Sequence, residues 1–372
     1  MLSNIKTDLW EYLASTQKAI VLYGMGNGAD KILAACAEKG ISVSGVFASD
    51  GFVRQKLFHG MPVRSWSDVK AEYGVERLIV LLSFGTSRED VLENILRIAN
   101  ETELYAPDVP AFGDGLFDQA FFETHKKDLE AARALFSDEE SLRIFDNVLS
   151  YKLTGDIRYL LDAESDEESV WREILHPETI RQAADLGAYN GDTVRELIEK
   201  CQGHLQTVFA IEPDARNYKK LECYAAEETR CSVRCIPAGA WSEKTVLYFD
   251  KSGNRNASFG QNRSESLSDR PVKLVSCVAE RLDDVLNGED VDYIKYDVEG
   301  SEKEALIGSR ESILRTYPKL LVSLYHRNED LFALPLQIHE AFPVYRGFYL
   351  RRKRGVPAWD LNLYVTKEFI ND

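Results

Sequence analysis

Between residues 181 and 213 the chain reads RQAADLGAYNGDTVRELIEKCQGHLQTVFAIEP, and this run constrains the fold more than any other. Residues 183–186 are short and apolar, Gly187 and Gly191 permit a sharp turn, and residues 193–200 have helical spacing with Val194, Leu197 and Ile198 on one face. A second apolar run, residues 207–211, ends in Glu212. Strand, glycine turn, helix and strand in that order predict a βαβ unit of a parallel sheet, with the turn at a helix N-terminus. Backbone N–H groups there have no partner within the helix, so a ligand can approach the main chain. The carboxylate of Glu212 suits the two vicinal hydroxyls of a ribose. Any adenosine ligand fits that layout.

The glycine spacing narrows the ligand. A dinucleotide turn, G-x-G-x-x-G, lets a pyrophosphate come close. Here the run is D-x-G-x-Y-x-G, with an acid at the strand end. Asp185 would repel a pyrophosphate and suits the cationic amino-acid end of S-adenosylmethionine. Three motifs in order, DLGAYNGDT from Asp185, AIEPD from Ala210 and YIKYDVEGSE from Tyr293, resemble those of the class I S-adenosylmethionine-dependent methyltransferases and, more closely, of the FkbM family. The resemblance runs from about residue 181 to the end. It implies an α/β fold, a Rossmann-like sheet with a reversed last strand, and S-adenosyl-L-methionine as cofactor. The implied cofactor site comprises Asp185, Gly187, Tyr189, Asn190, Gly191, Thr193, Glu212, Asp214, Gly239 and Trp241. Trp241 is either apolar cover for the adenine or a core residue.

A chain of 372 residues exceeds one core. Residues 1–112 read as a smaller N-terminal Rossmann-like α/β domain: Gly24, Gly26 and Ala29 satisfy G-x-G-x-x-A after a strand, and Asp50 stands where a ribose acid would. That module either binds a nucleotide or serves as scaffold. Residues 113–180 have no glycine turn and carry helical periodicity, which predicts a helical connector. Residues 181–372 form the methyltransferase domain.

A net charge of −16 argues against a nucleic-acid partner. No apolar run approaches the roughly 20 residues of a membrane span, and the first residues lack a signal-peptide core, so the expected location is cytoplasmic. The six cysteines show no C-x-x-C pair and are expected to be reduced and mostly buried. The sequence does not indicate an oligomeric state.

Residues 291–302, VDYIKYDVEGSE, form a buried-type strand ending at Asp297, followed by Glu299. Neighbouring strand ends of an open sheet share one crevice, so Asp297 is expected opposite Asp185 at the cofactor methyl. Asp297 and Glu299 suit orienting an acceptor hydroxyl, taking its proton, or holding a divalent ion, magnesium or manganese. His326 ends the next apolar strand and is expected as a general base or as a metal ligand with Asp297 and Glu299. The polar run at residues 251–270 is either a substrate lid or a plain surface loop. Arg351, Arg352, Lys353 and Arg354 either greet an anionic acceptor or, as the simpler reading, sit at a solvated hairpin tip.

The expected activity is methyl transfer from S-adenosylmethionine to a hydroxyl of a sugar, glycan or secondary metabolite. Two alternatives stand beside it. One is a nicotinamide-dependent sugar oxidoreductase or epimerase using the Gly24 turn, and the other is a non-catalytic nucleotide-binding module.

Overall fold

The structure, a computed structural model, describes residues 5–50, 57–250 and 274–368. The expectation of a lid at residues 251–270 lies outside the described residues.

The first sheet contains β1 (Ala19–Tyr23), β2 (Gly45–Ala48), β3 (Leu57–Phe58), β4 (Met61–Ser65), β5 (Leu78–Leu82) and β6 (Glu103–Tyr105), in the order β3-β4-β2-β1-β5-β6. All its pairings are parallel except that of β3 with β4. Its central strands, AIVLY and LIVLL, are apolar without alternation because both faces are covered. The helix Asn27–Glu38 buries Ala29, Ile32, Ala35 and Cys36, the stripe that helical spacing predicts.

The later strands are β7 (Gln182–Leu186), β8 (Thr207–Ile211), β9 (Ser232–Ile236), β10 (Gly239–Ala240), β11 (Thr245–Asp250), β12 (Leu274–Glu280), β13 (Tyr293–Tyr296), β14 (Lys319–Ser323), β15 (Gly347–Arg352) and β16 (Leu361–Thr366). Seven of them form one sheet in the order β15-β16-β14-β13-β7-β8-β9, and β10, β12 and β11 form a small sheet of their own. β16 runs antiparallel to both β14 and β15, the reversed last strand that the resemblance implies. From β7 the chain steps outward to β8 and β9, and from β13 it steps the other way to β14. The order therefore reverses between β7 and β13, the place where open α/β sheets leave a crevice at their carboxyl ends.

The helices Gln119–Arg133 and Glu139–Thr154 lie between the two sheets in sequence, each capped by an aspartate, Asp118 and Asp138, that accepts from a first-turn N–H. The second helix seals the outer edge of β15. Ser137 N donates to the Phe348 carbonyl, and the Ser137 and Ser141 hydroxyls accept from Phe348 N and Leu350 N. An open strand edge is thereby closed. Val21, Phe47 and Leu82 of the first sheet join one apolar core with Leu186, Ile294 and Val365 of the second through Phe117, Phe122 and Phe145.

The basic run of the hairpin is not a wholly solvated tip: Lys353 is half-buried and Arg354 exposed, but the two arginines before them are enclosed. Arg351 and Arg352 are buried. Arg351 bonds Asp138 and Ser141, and Arg352 donates to the carbonyls of Leu160 and Pro357. Lys353 pairs with Glu167, and Arg354 reaches Glu89 beside the first sheet. The four cations fasten the hairpin to the rest of the chain. Of the cysteines, Cys36 and Cys201 are buried, Cys231, Cys235 and Cys277 are half-buried, and Cys223 is exposed; all are free thiols.

Candidate active site

The carboxyl ends of β7, β8 and β13 open on a cavity of about 300 Å³. Its wall comprises Gly187, Tyr189, Asp192 and Thr193 after β7, residues 211–214 and Asn217 at β8, residues 238–240, then Lys295, Asp297, Val298 and Glu299 at β13, and Asp360 from the turn before β16. Gly187 has φ +85°, and a Cβ there would stand 1.9 Å from the carbonyl oxygen of Asp297. Only glycine lets the β7 turn lie against the β13 end.

Glu212 is 6% exposed, and its two oxygens accept from Tyr189 N at 2.9 Å and Asp214 N at 2.8 Å. Burial pushes its carboxyl up to about 7, against those two N–H bonds and with help from the charges of Asp214 and Asp185. Each oxygen keeps a further lone pair for a ligand donor. The Asp214 carboxylate also caps the helix Ala215–Glu227 through Arg216 N and Asn217 N.

At the other end, Asp297 Oδ1 accepts from the Tyr325 hydroxyl at 2.9 Å, and its Oδ2 is 3.7 Å from Lys295 Nζ. Burial alone would raise its carboxyl, but Lys295, His326 and Tyr325 outweigh it and hold Asp297 below the usual range. Glu299 goes the opposite way, pushed up to about 7 chiefly by burial and by the acids around it. Its backbone is left-handed at φ +55°, as are Tyr189 at +48° and Asp360 at +55°. Three cavity residues thus hold a conformation that costs a side-chain-bearing residue about 1–2 kcal/mol, and such outliers gather at functional sites.

Of the residues singled out in the sequence, Gly187, Tyr189, Thr193, Glu212, Asp214, Gly239, Asp297 and Glu299 line the cavity. Asp185 does not. It lies beneath the turn, where it accepts from Thr193 Oγ1 and from Lys295 Nζ at 3.0 Å, so it anchors a lysine rather than presenting itself to a ligand. Asn190 and Gly191 are also outside the wall, and a Cβ on Gly191 would meet the Tyr224 ring at 2.7 Å, so that glycine serves helix packing. Trp241 is not in the wall either; its backbone N–H donates to the Glu280 carbonyl, and its carbonyl packs on Gly308.

His326 sits one layer behind the cavity at 1% exposure. Its Nε2 is 3.5 Å from Asp297 Oδ1 and 3.6 Å from Glu299 Oε2, and its Nδ1 is 2.8 Å from Glu302 Oε1. Burial would lower its pKa, yet Glu302, Asp297 and Glu299 together raise it to about 9. A ring held protonated by these acids offers N–H groups, whereas a general base or metal ligand, the roles expected from sequence, acts through a free lone pair. Among the described residues, no group of three or more His, Cys, Asp or Glu side chains is placed to hold a metal ion.

Sequence reasoning missed Lys295 and Asp360. Lys295 had a signal, since it precedes Asp297 by two positions and the strand period puts both on one side. Asp360 had none, because the β15–β16 turn reaches the cavity only through tertiary folding.

Residues 185–349 match the family profile described as the methyltransferase FkbM domain. Among solved structures, the methyltransferase FkbM from Methylobacillus flagellatus KT superimposes with a TM-score of 0.69 at 20% identity, over 94% of this chain and 90% of that one. An rRNA methylase from Streptococcus thermophilus aligns at 12% identity and a TM-score of 0.34, over 54% of this chain and 93% of that one. No curated protein matches the chain. Strand order, reversed last strand and profile agree, and residues 185–349 are an FkbM methyltransferase domain.

Proposed function

We propose that the chain is an O-methyltransferase acting on a hydroxyl of a sugar, glycan or related metabolite, with Asp297 and Glu299 preparing the acceptor. The observation that carries this reading is the opposition, across one cavity, of a buried Glu212 with oxygens free for a diol and of two carboxylates of divergent acidity at β13.

The residues fit S-adenosylmethionine. Glu212 takes the ribose diol, residues 238–240 and Asp214 flank the base, and the acid-rich wall, whose one lysine is tied to Asp185 and Asp297, suits a cation. The bound cofactor supplies an electrophilic methyl group on a sulfonium. Asp297, held ionised, accepts a hydrogen bond from the acceptor hydroxyl and turns its oxygen toward the methyl. Glu299, whose carboxyl is pushed up to about 7, would take the hydroxyl proton as a base at neutral pH. His326 holds both carboxylates from behind. It is a positioning residue.

Chelation leaves this route intact, because His326 is committed to Glu302 and the two acids. In the test, S-adenosylhomocysteine is titrated calorimetrically, and glycosides are screened for cofactor-dependent gain of one methyl group on oxygen. On an acceptor so found, Glu299→Gln should lower turnover by about a hundredfold and flatten the rise of kcat through pH 7. A chelator-sensitive reaction restored by magnesium, or full activity of Glu299→Gln, overturns the assignment.

A further inference from the structure

The cavity has a direction. Its nucleoside end lies at β8 and β9, with Glu212, Asp214 and residues 238–240, and β13 lies beyond β7 on the opposite side. Asp360 enters from farther still, out of the turn joining β15 to β16, so an acceptor approaching Asp297 and Glu299 from that side meets this turn first. Among the described contacts the Asp360 carboxylate has no hydrogen-bond or ion-pair partner, although its own carbonyl accepts from Lys353 N and Asn362 Nδ2. Its carboxyl is pushed up by desolvation and by the charge of Asp297.

The residue before it is Trp359, 43% exposed. Its indole is not loose. It lies on Gly85, where an added Cβ would come 2.2 Å from Trp359 Cζ3. Next to that contact, Thr86 and Val356 exchange two backbone hydrogen bonds, 2.8 and 3.0 Å long, and Arg354 pairs with Glu89. Residues 85–89 follow β5, so the first sheet props the turn that carries Trp359 and Asp360. A rigid aromatic side chain held in this way offers contact area with little ordering entropy to lose.

The charge of the wall excludes one class of acceptor. Asp192, Glu212, Asp214, Asp297, Glu299 and Asp360 line the cavity, and Lys295 is tied to Asp185 and Asp297. Arg351 and Arg352 are buried and bonded to Asp138 and to the Leu160 carbonyl, and Arg354 is exposed but paired with Glu89. A phosphorylated acceptor meets an excess of like charge beside Asp297 and Asp360, because the nearby cations Lys295, Arg352 and Lys353 already have partners of their own. The hydroxyls of an uncharged ring suit these carboxylates as donors, and Trp359, adjacent in sequence to Asp360 though not in the cavity wall, offers an exposed aromatic surface for a C–H face.

We propose that Trp359 and Asp360 form the acceptor subsite, that it takes an uncharged polyhydroxylated ring of the sugar class, and that the first sheet serves this site as the support of Trp359. This rests on the O-methyl reading above. The probes are methyl glycosides of common hexoses and pentoses and their phosphate monoesters, offered to the full chain with S-adenosylmethionine. At least one neutral glycoside gains an O-methyl group, and its phosphate is used at least about tenfold less well. Trp359→Ala raises KM about tenfold, as loss of one stacked face does, with kcat little changed. Trp359→Phe recovers most of the loss, and Gly85→Ala, which displaces the indole, behaves like Trp359→Ala. All three variants bind S-adenosylhomocysteine as the parent does. Preference for phosphates or for amines, rejection of every neutral glycoside, or a KM indifferent to Trp359→Ala overturns the proposal. Failure of the reading beneath it looks different: S-adenosylhomocysteine does not bind, or the methyl group lands on nitrogen.

Discussion

Both sheets begin with a strand, a glycine turn and a helix, yet they use the turn differently. After β1, Gly24 and Gly26 have φ +111° and +143°; after β7, Gly187 and Gly191 have φ +85° and +87°. In the first sheet the close approach serves packing, since a Cβ on Gly28 would stand 2.3 Å from the Ser83 carbonyl oxygen and one on Gly24 2.6 Å from the Phe84 ring. The acids at the ends of the second strands differ more. Asp50 is exposed and tied to the first turn of the helix Trp66–Tyr73 through Ser67 N and Oγ. Glu212 is buried in a cavity wall, where its charge, held by only two N–H groups, is costly until a ligand adds further donors. A glycine turn therefore says that backbones come close. The environment of the acid says whether a ligand is what comes close.

The largest expected break in this comparison is Gly187→Ala. The methyl would collide with the backbone of Asp297 in a left-handed conformation, costing about 2–5 kcal/mol of stability and closing the crevice to S-adenosylhomocysteine. Gly26→Ala is the counterpart in the first sheet, where nothing lies within 4 Å of the added carbon. Its cost, set by a backbone conformation that favours glycine at φ +143° and not by a clash, should stay within about 1–3 kcal/mol, with cofactor affinity unchanged. Thermal unfolding and calorimetry read both. Equal losses of affinity in the two variants would show that both turns serve the cofactor.

Much of this contrast was legible in the sequence, because it is local. The apolar runs, the glycine turns, Glu212 at the end of β8 and Asp297 at the end of β13 need only strand and helix periodicity to be placed. The failures share a cause. Arg351 looked solvated because its partner Asp138 lies 213 positions away. His326 was expected at the crevice itself, because neither its seat behind the wall nor Glu302 beside it can be read from the strand that precedes it. Asp185 looked free because Lys295, which occupies it, belongs to a strand 110 positions on. Position along a strand is a local property. Charge state and accessibility belong to the assembled sheet.

Next in size is Glu212→Ala, expected to weaken S-adenosylhomocysteine by about 1.5–3 kcal/mol, the worth of charge-assisted bonds to a diol. The same residue sets a pH dependence. Its pKa in the free fold is raised to about 7, and hydroxyl donors favour the ionised form, so the bound state has the lower pKa. Affinity should then be full above pH 7 and fall as pH drops below it, by at most about tenfold per unit. Glu299 titrates in the same range. The Glu299→Gln variant should keep this binding profile, and its disappearance there would assign the titration to Glu299 instead.

The smallest effect is expected at Asp50, and its smallness is informative. If Asp50 were a ribose acid, the first sheet would bind a nucleotide, and Asp50→Ala would abolish a calorimetric signal with NAD(H) while leaving the fold untouched. The structure gives the carboxylate another task, holding Ser67 N and Oγ at the start of the helix Trp66–Tyr73. That helix already has a capping box between Ser65 and Asp68. Removing Asp50 therefore takes away a supplementary, exposed contact, expected to be worth about 0.5–1 kcal/mol of stability or less. No change in affinity for S-adenosylhomocysteine should accompany it. NAD(H) should give no heat with either the parent chain or Asp50→Ala. A saturable NAD(H) signal lost in Asp50→Ala would make the two glycine turns functional equals, with the first sheet a second nucleotide site.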